Sequence, residues 1–442
     1  MFSLIKIFLV ITITLVVLLT NLSCHRTPIE PEKTKVNLIY EDALCTEAYF
    51  RLKTTEINYP ARVDLYLNKD KVNSFTTFSD DTVFVIENLL AKKSYTSYVR
   101  VYPAVGGELV SSEVSFVTMD TTSHNFTWQV FEFGECAGSS LLDVAIIDEN
   151  NIWAVGEIFI KDSLGRCTKY NAVHWDGSKW DLMRIYTYSS CSSVDYAPLR
   201  SIYAFSKNNI VVTSGGGMWW FDGSRWKAEC SVNPLLTGAI NKLWGTSSSD
   251  LYAVGDNGNI AHWDGRRWTK IESGTNIRQL DIWGTSDGAE IWTCGWVAST
   301  GENIVLRKRN SQWQVVPLPP YISDNELLGT LWMGGNSEVI ITGSGDVFRQ
   351  SILNLNLIRR DIVNLGAYAY RIRGAFRNDV TIVGDFSMVW HWNGVSWYKH
   401  NELMNINDRL YGLAVSPTMI VAVGTRHGNG IDRKGLVVIG RR

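Results

Sequence analysis

At 442 residues, the chain is long enough for two or three domains with a sizeable buried core. It holds 42 Lys and Arg against 44 Asp and Glu, which gives a formal net charge of -2. Because the basic residues are spread along the chain instead of clustering, the charge pattern argues against nucleic acid as a partner. The 18 Trp and 36 Gly residues favour an all-β protein with many tight turns.

The N-terminal segment is typical of an export signal. The stretch MFSLIKIFLVITITLVVLLTNLSC, residues 1–24, has one Lys, a long apolar run and a small residue before Cys24. It resembles the signal peptide of bacterial lipoproteins, although Asn21 and Leu22 depart from the usual lipobox. The resemblance implies that Cys24 carries the lipid and that the protein is anchored at the outer membrane or cell surface. An uncleaved membrane-spanning helix is the alternative, and residues 25–34 are a polar tether in either case.

Residues 35–120 are expected to form a small β-sandwich. Alternating runs such as RVDLYLNK and SYVRVYPAV are separated by turn residues at regular intervals. One segment resembles the tyrosine corner of fibronectin type III domains and consists of Leu89, Ala91, Lys93, Tyr95, Val99 and Val101. Ala91 and Lys93 depart from that pattern, and Tyr49 or Phe50 takes the place of the usual core Trp. A spacer is the expected role, and adhesion is the alternative.

From residue 125 to residue 442 the chain repeats. Elements similar to YAVG end at Gly156, Ser214, Gly255, Gly295, Gly343, Gly384 and Gly424, most of them 40 or 41 residues apart. A second element, HWDGxxW, follows most of them, as in HWDGRRW at residues 262–268. A period of this length with four short strands per unit predicts a β-propeller of seven blades.

The HWDGxxW element carries residues that would suggest catalysis in another context. The Asp-Gly pair favours a tight hairpin, and the Trp that follows is expected to pack between blades. His174, His262 and His391 share one repeat position in different blades, so they cannot converge on one metal ion. We therefore interpret this element as scaffold.

The last repeat ends at GLVVIGRR without a fourth strand. The stretch NFTWQVFEF, residues 125–133, places Trp128 where other outer strands carry theirs, so this strand is predicted to complete the last blade and close the ring. The repeats resemble those of bacterial extracytoplasmic propellers built on WGxSxxDxYAVG and HWDGxxW, and the DGxxW turn is similar to the Asp-box of sialidase-like propellers. The resemblance implies a fold but almost no chemistry.

Two regions are candidate ligand sites. The long connections, which include Trp296, all leave the second or fourth strand of a repeat and therefore open on one face, which we call the long-loop face. The opposite, short-turn face has only brief hairpins. A recurring polar position on the innermost strands includes Asp143, Lys242, Asp281, Arg371 and Tyr411, with Arg373 two residues after Arg371. These residues either line a salt-bridged channel or receive an acidic or sugar ligand.

No motif for a catalytic nucleophile, a metal or a phosphate loop appears, so no catalytic residue, metal or cofactor is assigned. The sequence favours a lipid-anchored, monomeric binding or scaffold protein for a protein or glycan ligand. A glycan-active hydrolase or lyase at the channel mouth is the alternative, and it requires two carboxylates about 5–10 Å apart.

The cysteines also point to the long-loop face. Cys136, Cys167, Cys191 and Cys230 all fall in its predicted loops, and an exported protein meets an oxidising compartment, so two disulfides are expected among them. Cys45 and Cys294 fall within predicted strands and are expected to be buried thiols.

Overall fold

The computed structural model describes residues 35–136, 138–188, 194–323, 326–361, 363–428 and 433–442. Cys24 and the tether lie outside these residues. No helix of the described chain is long and apolar enough to cross a membrane. The fold is all-β, as predicted. Short helical segments occur at Asp256–Gly258, Pro320–Ser323 and Asn401–Leu403.

The N-terminal region contains two antiparallel sheets. One sheet consists of strands β1 (Val36–Ala43), β2 (Ala48–Thr54) and β5 (Asp81–Ile86). The other consists of β4 (Asp70–Thr77), β3 (Ala61–Leu67), β6 (Ser94–Tyr102), β7 (Leu109–Val110) and β8 (Val114–Val117). Strand β6 alternates buried and more exposed residues because successive side chains point to opposite faces of a sheet.

The described chain divides into two compact units. The smaller unit comprises residues 35–39, 52–82 and 96–114, and the larger comprises residues 40–51, 83–95 and 115–442. Two segments of the expected sandwich thus belong to the same unit as the repeats. Within the larger unit, the backbone N–H of Leu90 donates to the Tyr95 hydroxyl at 2.9 Å. Phe50 is fully buried against Phe84 and Phe116.

Seven four-stranded antiparallel sheets follow along the described chain. Sheet 1 comprises β10 (Ser140–Asp148), β11 (Asn151–Lys161), β12 (Cys167–Trp175) and β13 (Trp180–Met183). Sheet 2 comprises β16 (Ser201–Ser206), β17 (Asn209–Ser214), β18 (Gly217–Phe221) and β19 (Trp226–Glu229). Sheet 3 comprises β20 (Ile240–Ser247), β21 (Asp250–Gly255), β22 (Ile260–Trp263) and β23 (Trp268–Ile271). A short ribbon of β14 (Thr187–Tyr188) and β15 (Val194–Asp195) lies between sheets 1 and 2 in the chain.

Sheet 4 comprises β24 (Asp281–Gly284), β25 (Glu290–Trp296), β26 (Asn303–Arg309) and β27 (Gln312–Val315). Sheet 5 comprises β28 (Thr330–Trp332), β29 (Glu338–Thr342), β30 (Val347–Ser351) and β31 (Ile358–Asp361). Sheet 6 comprises β32 (Ala369–Phe376), β33 (Asp379–Gly384), β34 (Val389–Trp392) and β35 (Trp397–Lys399). Sheet 7 comprises β36 (Asp408–Ser416), β37 (Met419–His427), β38 (Arg433–Arg441) and β9 (Thr127–Phe133). Strand β9 pairs antiparallel with β38, and Trp128 lies opposite Gly440.

The first strands of the sheets contact one another in chain order, and the first strand of sheet 7 also contacts that of sheet 1. Aromatic residues near the ends of these strands link neighbouring sheets. The Tyr203 hydroxyl donates to the carbonyl of Gly245 at 2.7 Å, and a Cβ on Gly284 would lie 2.6 Å from the Trp244 ring. The WG pair of the repeat therefore has a physical cause, because the glycine leaves room for the preceding sheet's Trp.

The Asp-Gly hairpins between third and fourth strands are held by the side chain of their first residue. Asp264 accepts hydrogen bonds from the backbone N–H groups of Arg266 and Arg267 at 2.8 and 2.9 Å, and Gly265 has a φ of 86°. His262 contacts Asp250 of its own sheet at 2.7 Å. His174 and His391 make the equivalent contacts to Asn151 and Asp379. The element is structural in each sheet.

Candidate functional site: the mouth on the long-loop face

Irregularities in the first strands build the site. In β10, β20, β32 and β36 the pairing with the second strand skips one residue, which leaves Leu142, Asn241, Tyr370 and Tyr411 as the extra residues. Such β-bulges redirect a side chain and occur often at the rims of barrels and beside binding sites. In the other three sheets the equivalent residues directly precede the first strand and are Arg200, Leu280 and Gly329.

These seven residues, one from each sheet, line a single cavity of about 360 Å³. Arg278, Trp296, Tyr368 and Arg371 complete the lining. The lining residues lie where the chain enters each first strand, and the loops from the fourth strands arrive at the same end. The cavity therefore opens on the long-loop face, and we call it the mouth cavity.

One wall of the mouth cavity is aromatic. The Trp296 indole donates to the Tyr368 hydroxyl at 2.8 Å, and the rings of Tyr368, Tyr370 and Tyr411 follow one another at centroid distances of 5.0 and 4.9 Å. Burial raises the pKa of Tyr368 to about 12, so its hydroxyl stays protonated at neutral pH. The wall offers flat apolar surface with hydroxyl groups at its edges.

Arginines supply the charge of the mouth cavity. The Arg278 guanidinium lies 5.1 Å from the centre of the Trp296 ring, in cation–π range. Arg200 is exposed at the rim and donates to Asn241 at 3.2 Å. Both amide hydrogen bonds of Asn241 go to Asp256 and the carbonyl of Gln279. None of the described residues that line the cavity is acidic, so it is positively charged.

Below the mouth cavity, a buried group of charges fills the channel. Asp281 is fully buried and accepts two hydrogen bonds from Arg373, at 2.9 and 2.7 Å, and one from the Thr330 hydroxyl at 2.6 Å. Burial alone would disfavour the charged carboxylate, but Arg373 and Arg371 together outweigh it and lower the pKa of Asp281. Asp281 is therefore a permanently charged structural partner.

Asp143 and Lys242 form the second pair of this group. The Lys242 ammonium lies 2.7 and 2.5 Å from the two carboxylate oxygens of Asp143. Asp143 also accepts from the Ser201 hydroxyl and the N–H of Ile202, both at 3.0 Å. We call Asp143, Lys242, Asp281, Arg371 and Arg373 the channel cluster. It separates the mouth cavity from a cavity of about 170 Å³ on the other side, which Lys242 and Arg373 line.

The structure thus divides the predicted ligand residues. Arg371, Tyr411 and Trp296 line the mouth cavity, whereas Asp143, Lys242, Asp281 and Arg373 are buried and pair with one another. Tyr411 is not equivalent to Asp143, because Gly412 lies opposite Val423 in the register and Tyr411 is the bulge residue. The sequence prediction missed Asn241 and Tyr370, since a strict alternation has no place for a bulge residue, and it missed Arg200, Arg278 and Tyr368, which precede the first strands of their sheets.

The two carboxylates that a hydrolase would need are unavailable as a catalytic pair. Asp143 and Asp281 are buried, and both pKa values are lowered because neighbouring cations outweigh the effect of burial. A general acid needs a raised pKa near the working pH. The geometry of the described residues therefore favours binding over hydrolysis at the mouth.

The described cysteines of the predicted four are disulfide-bonded, whereas one of the long loops differs from expectation. Cys136 is bonded to Cys167, and Cys230 is also disulfide-bonded, whereas Cys191 lies outside the described residues. Cys45 and Cys294 are buried free thiols. The connection expected as a loop in EIFIKDSLGRCTK is largely a β-hairpin, because β11 and β12 continue their pairing to Lys161 opposite Cys167.

A second group of arginines in the larger unit lies at the short-turn face. Arg349 is buried and contacts Glu338 at 3.1 Å and Asp361 at 2.8 Å. Arg359 contacts Glu338 at 3.1 Å. Two residues of segment 40–51 join this group, because Tyr49 donates to Glu338 at 3.3 Å and Asp42 pairs with Arg377. We call Asp42, Tyr49, Glu338, Arg349, Arg359, Asp361 and Arg377 the short-turn cluster.

Comparison with known proteins finds similarity in fold and, over a short stretch, in sequence. No family model matches the chain. A curated relative, the immune protein Tsi7 of Pseudomonas aeruginosa, is 32% identical over 120 residues, which is 26% of this chain. The chain spans 37% of that relative's length. A solved structure titled YCF48 bound to D1 peptide matches with a TM-score of 0.54 and 15% identity, over 73% of this chain and 99% of the other. The chain therefore has a mostly β fold of repeated four-stranded sheets that is similar to this solved structure.

Proposed function

We propose that the protein is a binding protein and that its ligand enters the mouth cavity. The observation that carries the proposal is the convergence of one residue from every sheet on a single cavity. Arginines and aromatic side chains form its lining, and the described lining residues include no carboxylate. A concave surface with a few placed polar groups is the usual form of a ligand site.

The proposed scaffold is a seven-bladed propeller closed by β9. Two observations support closure: the first strand of sheet 7 contacts that of sheet 1, and β9 pairs with β38 over seven residues. Phe131 and Phe133 also pack against the core of sheet 1. Replacing both with Ala should lower the melting temperature. An unchanged melting temperature would count against closure.

A fibronectin type III-like sandwich over residues 35–120 is proposed as the spacer. The hydrogen bond from Leu90 to the Tyr95 hydroxyl and the burial of Phe50 in an aromatic group support it, because a tyrosine corner and a large aromatic core residue are features of such sandwiches.

Attachment to the membrane through a lipid on Cys24 is also proposed. Its support is the apolar run and the Ser-Cys pair at its end. Cys24→Ser should abolish labelling by a palmitate analogue and release the protein from the membrane fraction. Unchanged labelling would refute the assignment.

A protein ligand is favoured over a glycan. The solved structure of similar fold, YCF48, is bound to a peptide. The mouth cavity also has few acceptors for sugar hydroxyls. The single amide in its lining, Asn241, already donates both hydrogen bonds.

The test is capture on peptide and glycan arrays by the full-length chain in mild detergent. Trp296→Ala and Tyr370→Ala should each lose the captured ligands. Phe376→Ala, which removes an exposed aromatic ring at the end of the first strand away from the mouth, should retain them. If all three variants retain the same ligands, the mouth cavity is not the site.

A further inference from the structure

We infer that the ligand presents a carboxylate to Arg371, and that this carboxylate is the free C-terminus of a polypeptide. The inference rests on the proposed function, because it concerns the ligand of the same cavity. It has three supports: the charge balance of the channel cluster, the hydrogen bonding of Arg371, and the lining of the cavity.

The channel cluster carries more positive than negative charge. Its cations are Lys242, Arg371 and Arg373, and its carboxylates are Asp143 and Asp281. One positive charge is therefore left over in a region where every member is at most 9% exposed. A buried charge without a counterion is costly, so an anion that reaches it gains more than one bound at an exposed arginine.

The hydrogen bonds show which cation is left over. Arg373 donates to both oxygens of Asp281 and to the carbonyls of Leu331 and Ile372. Lys242 contacts both oxygens of Asp143. Both therefore already donate to a carboxylate of the channel cluster.

Arg371 differs from both. Its Nη1 lies 2.9 Å from Asp281 Oδ1, an ion-pair distance, but the N–H is not directed at that oxygen. Its Nε has no hydrogen-bond partner either. The side chain is 11% exposed, and Arg371 lines the mouth cavity and not the cavity below the cluster. A buried guanidinium that has nitrogens without hydrogen-bond partners and borders a cavity can bind the carboxylate of a ligand.

The surroundings favour a peptide chain behind that carboxylate. Asp385 pairs with Arg409 at 3.1 Å and contacts Tyr370 at the edge of the tyrosine wall, and the carbonyl of the next residue, Phe386, accepts a hydrogen bond from the N–H of Asn405. Phe386, Met404 and Ile406 are 40%, 39% and 78% exposed. Because Asp385 contacts Tyr370 of the tyrosine wall, these exposed apolar residues lie on segments close to the mouth, where side chains preceding a C-terminus can pack.

The experiment compares two probes of equal shape. The full-length chain in mild detergent is titrated with N-acetylphenylalanine, which has a free carboxylate, and with N-acetylphenylalanine amide, and binding is followed by tryptophan fluorescence and isothermal calorimetry. We expect the acid to bind and the amide to bind roughly tenfold to a hundredfold more weakly, as charge-assisted hydrogen bonds predict. Arg371→Gln should remove the preference. Arg266→Gln, at an exposed hairpin on the short-turn face, should keep it.

A second pair of variants tests the inference if Arg371→Gln does not fold. Leu280 lines the cavity beside Asp281. Leu280→Glu places a carboxylate in the cavity and should prevent binding of the acid. Leu280→Gln introduces a neutral side chain of the same shape as glutamate and should permit binding.

The outcomes separate this inference from the proposed function. Equal binding of acid and amide, both lost in Trp296→Ala, would overturn the carboxylate and leave the mouth cavity as the site. Stronger binding of glucuronate than of N-acetylphenylalanine would overturn the polypeptide and indicate an acidic glycan. Binding of the acid that is indifferent to Trp296→Ala and to both Leu280 variants would overturn both proposals.

Discussion

The channel cluster and the short-turn cluster are both built on buried arginines, and they differ in how completely those arginines are paired. In the short-turn cluster, Arg349 contacts Glu338 and Asp361, and Arg359 contacts Glu338 and Glu47. Arg377 pairs with Asp42 and donates to the Ser337 hydroxyl. In the channel cluster, Arg373 is equally well paired, but Arg371 is not.

The difference shows how to separate a structural arginine from a binding one. A guanidinium that already donates to carboxylates, as Arg349 does from Nε and Nη1, has less capacity left for a ligand, however close to a channel it lies. A buried guanidinium without acceptors is left with an unpaid desolvation cost that a ligand can offset. Burial alone does not distinguish the two, since Arg349 and Arg371 are both buried.

The largest expected effect comes from the carboxylate that two channel arginines share. Asp281→Asn leaves Arg373 and Arg371 without their counterion, so the free energy of unfolding should fall by about 3–5 kcal/mol. Urea unfolding followed by tryptophan fluorescence measures it. Asp264→Asn is the control, because Asn393 holds the equivalent hairpin of sheet 6 in the same way. A loss under about 1 kcal/mol would show that Asp281 is not the centre of the cluster.

The next prediction compares the two types of arginine directly. Arg349→Met removes the guanidinium that contacts both Glu338 and Asp361, and it should cost about 3 kcal/mol although Arg359 still contacts Glu338. Arg371→Met removes the surplus charge and should cost about 1 kcal/mol or less. Both are read from urea unfolding curves at one ionic strength. Equal losses would mean that Arg371 is a structural arginine after all.

A pH dependence is expected from Lys242. Burial, together with the nearby cations Arg371 and Arg373, lowers the pKa of Lys242 from its usual value of 10.5 to about 8, although the Asp143 carboxylate acts in the opposite direction. The unfolded state therefore holds the proton over a range where the folded state releases it, and stability should rise as the pH increases through 8. The slope is at most about 1.4 kcal/mol per pH unit.

Thermal unfolding between pH 7.5 and 9 measures this slope. The window ends at 9 because the buried thiols of Cys45 and Cys294, whose raised pKa values act in the opposite direction, contribute above it. A bound carboxylate at Arg371 should reduce the slope by favouring the charged lysine. An identical slope in Lys242→Met would assign the effect to other groups.

The smallest effect is expected at the rim. Arg200 is exposed and makes one 3.2 Å hydrogen bond to Asn241, so Arg200→Gln should change the free energy of unfolding by no more than about 0.5 kcal/mol. Chemical denaturation measures it. A larger loss would place this exposed arginine among the structural ones.

The repeat pattern predicted much of the fold and little of the site. The all-β class, the four-stranded units and the structural role of the HWDG element follow from turn residues and alternation that act within about 40 residues. Arg371 and Tyr411 were predicted on the innermost strands and Trp296 in a long connection, and all three line one cavity. Tyr370 could not be predicted, because a bulge shifts the side chain without leaving a mark in the alternation. Tyr368 precedes the strand, where the alternation does not apply.

The sequence by itself determined what local chemistry controls: the strands, the Asp-Gly hairpins, and the glycine beside each linking Trp. Only the tertiary structure decided which charges meet. Asp281 and Arg373 are 92 residues apart in the chain, and Asp143 and Lys242 are 99 apart. Their pairing depends on which first strands lie beside one another. The same arrangement leaves Nε and Nη1 of Arg371 without a hydrogen-bond partner beside the mouth cavity. The sequence could not predict this, because the position of a counterion in space cannot be read from spacing along the chain.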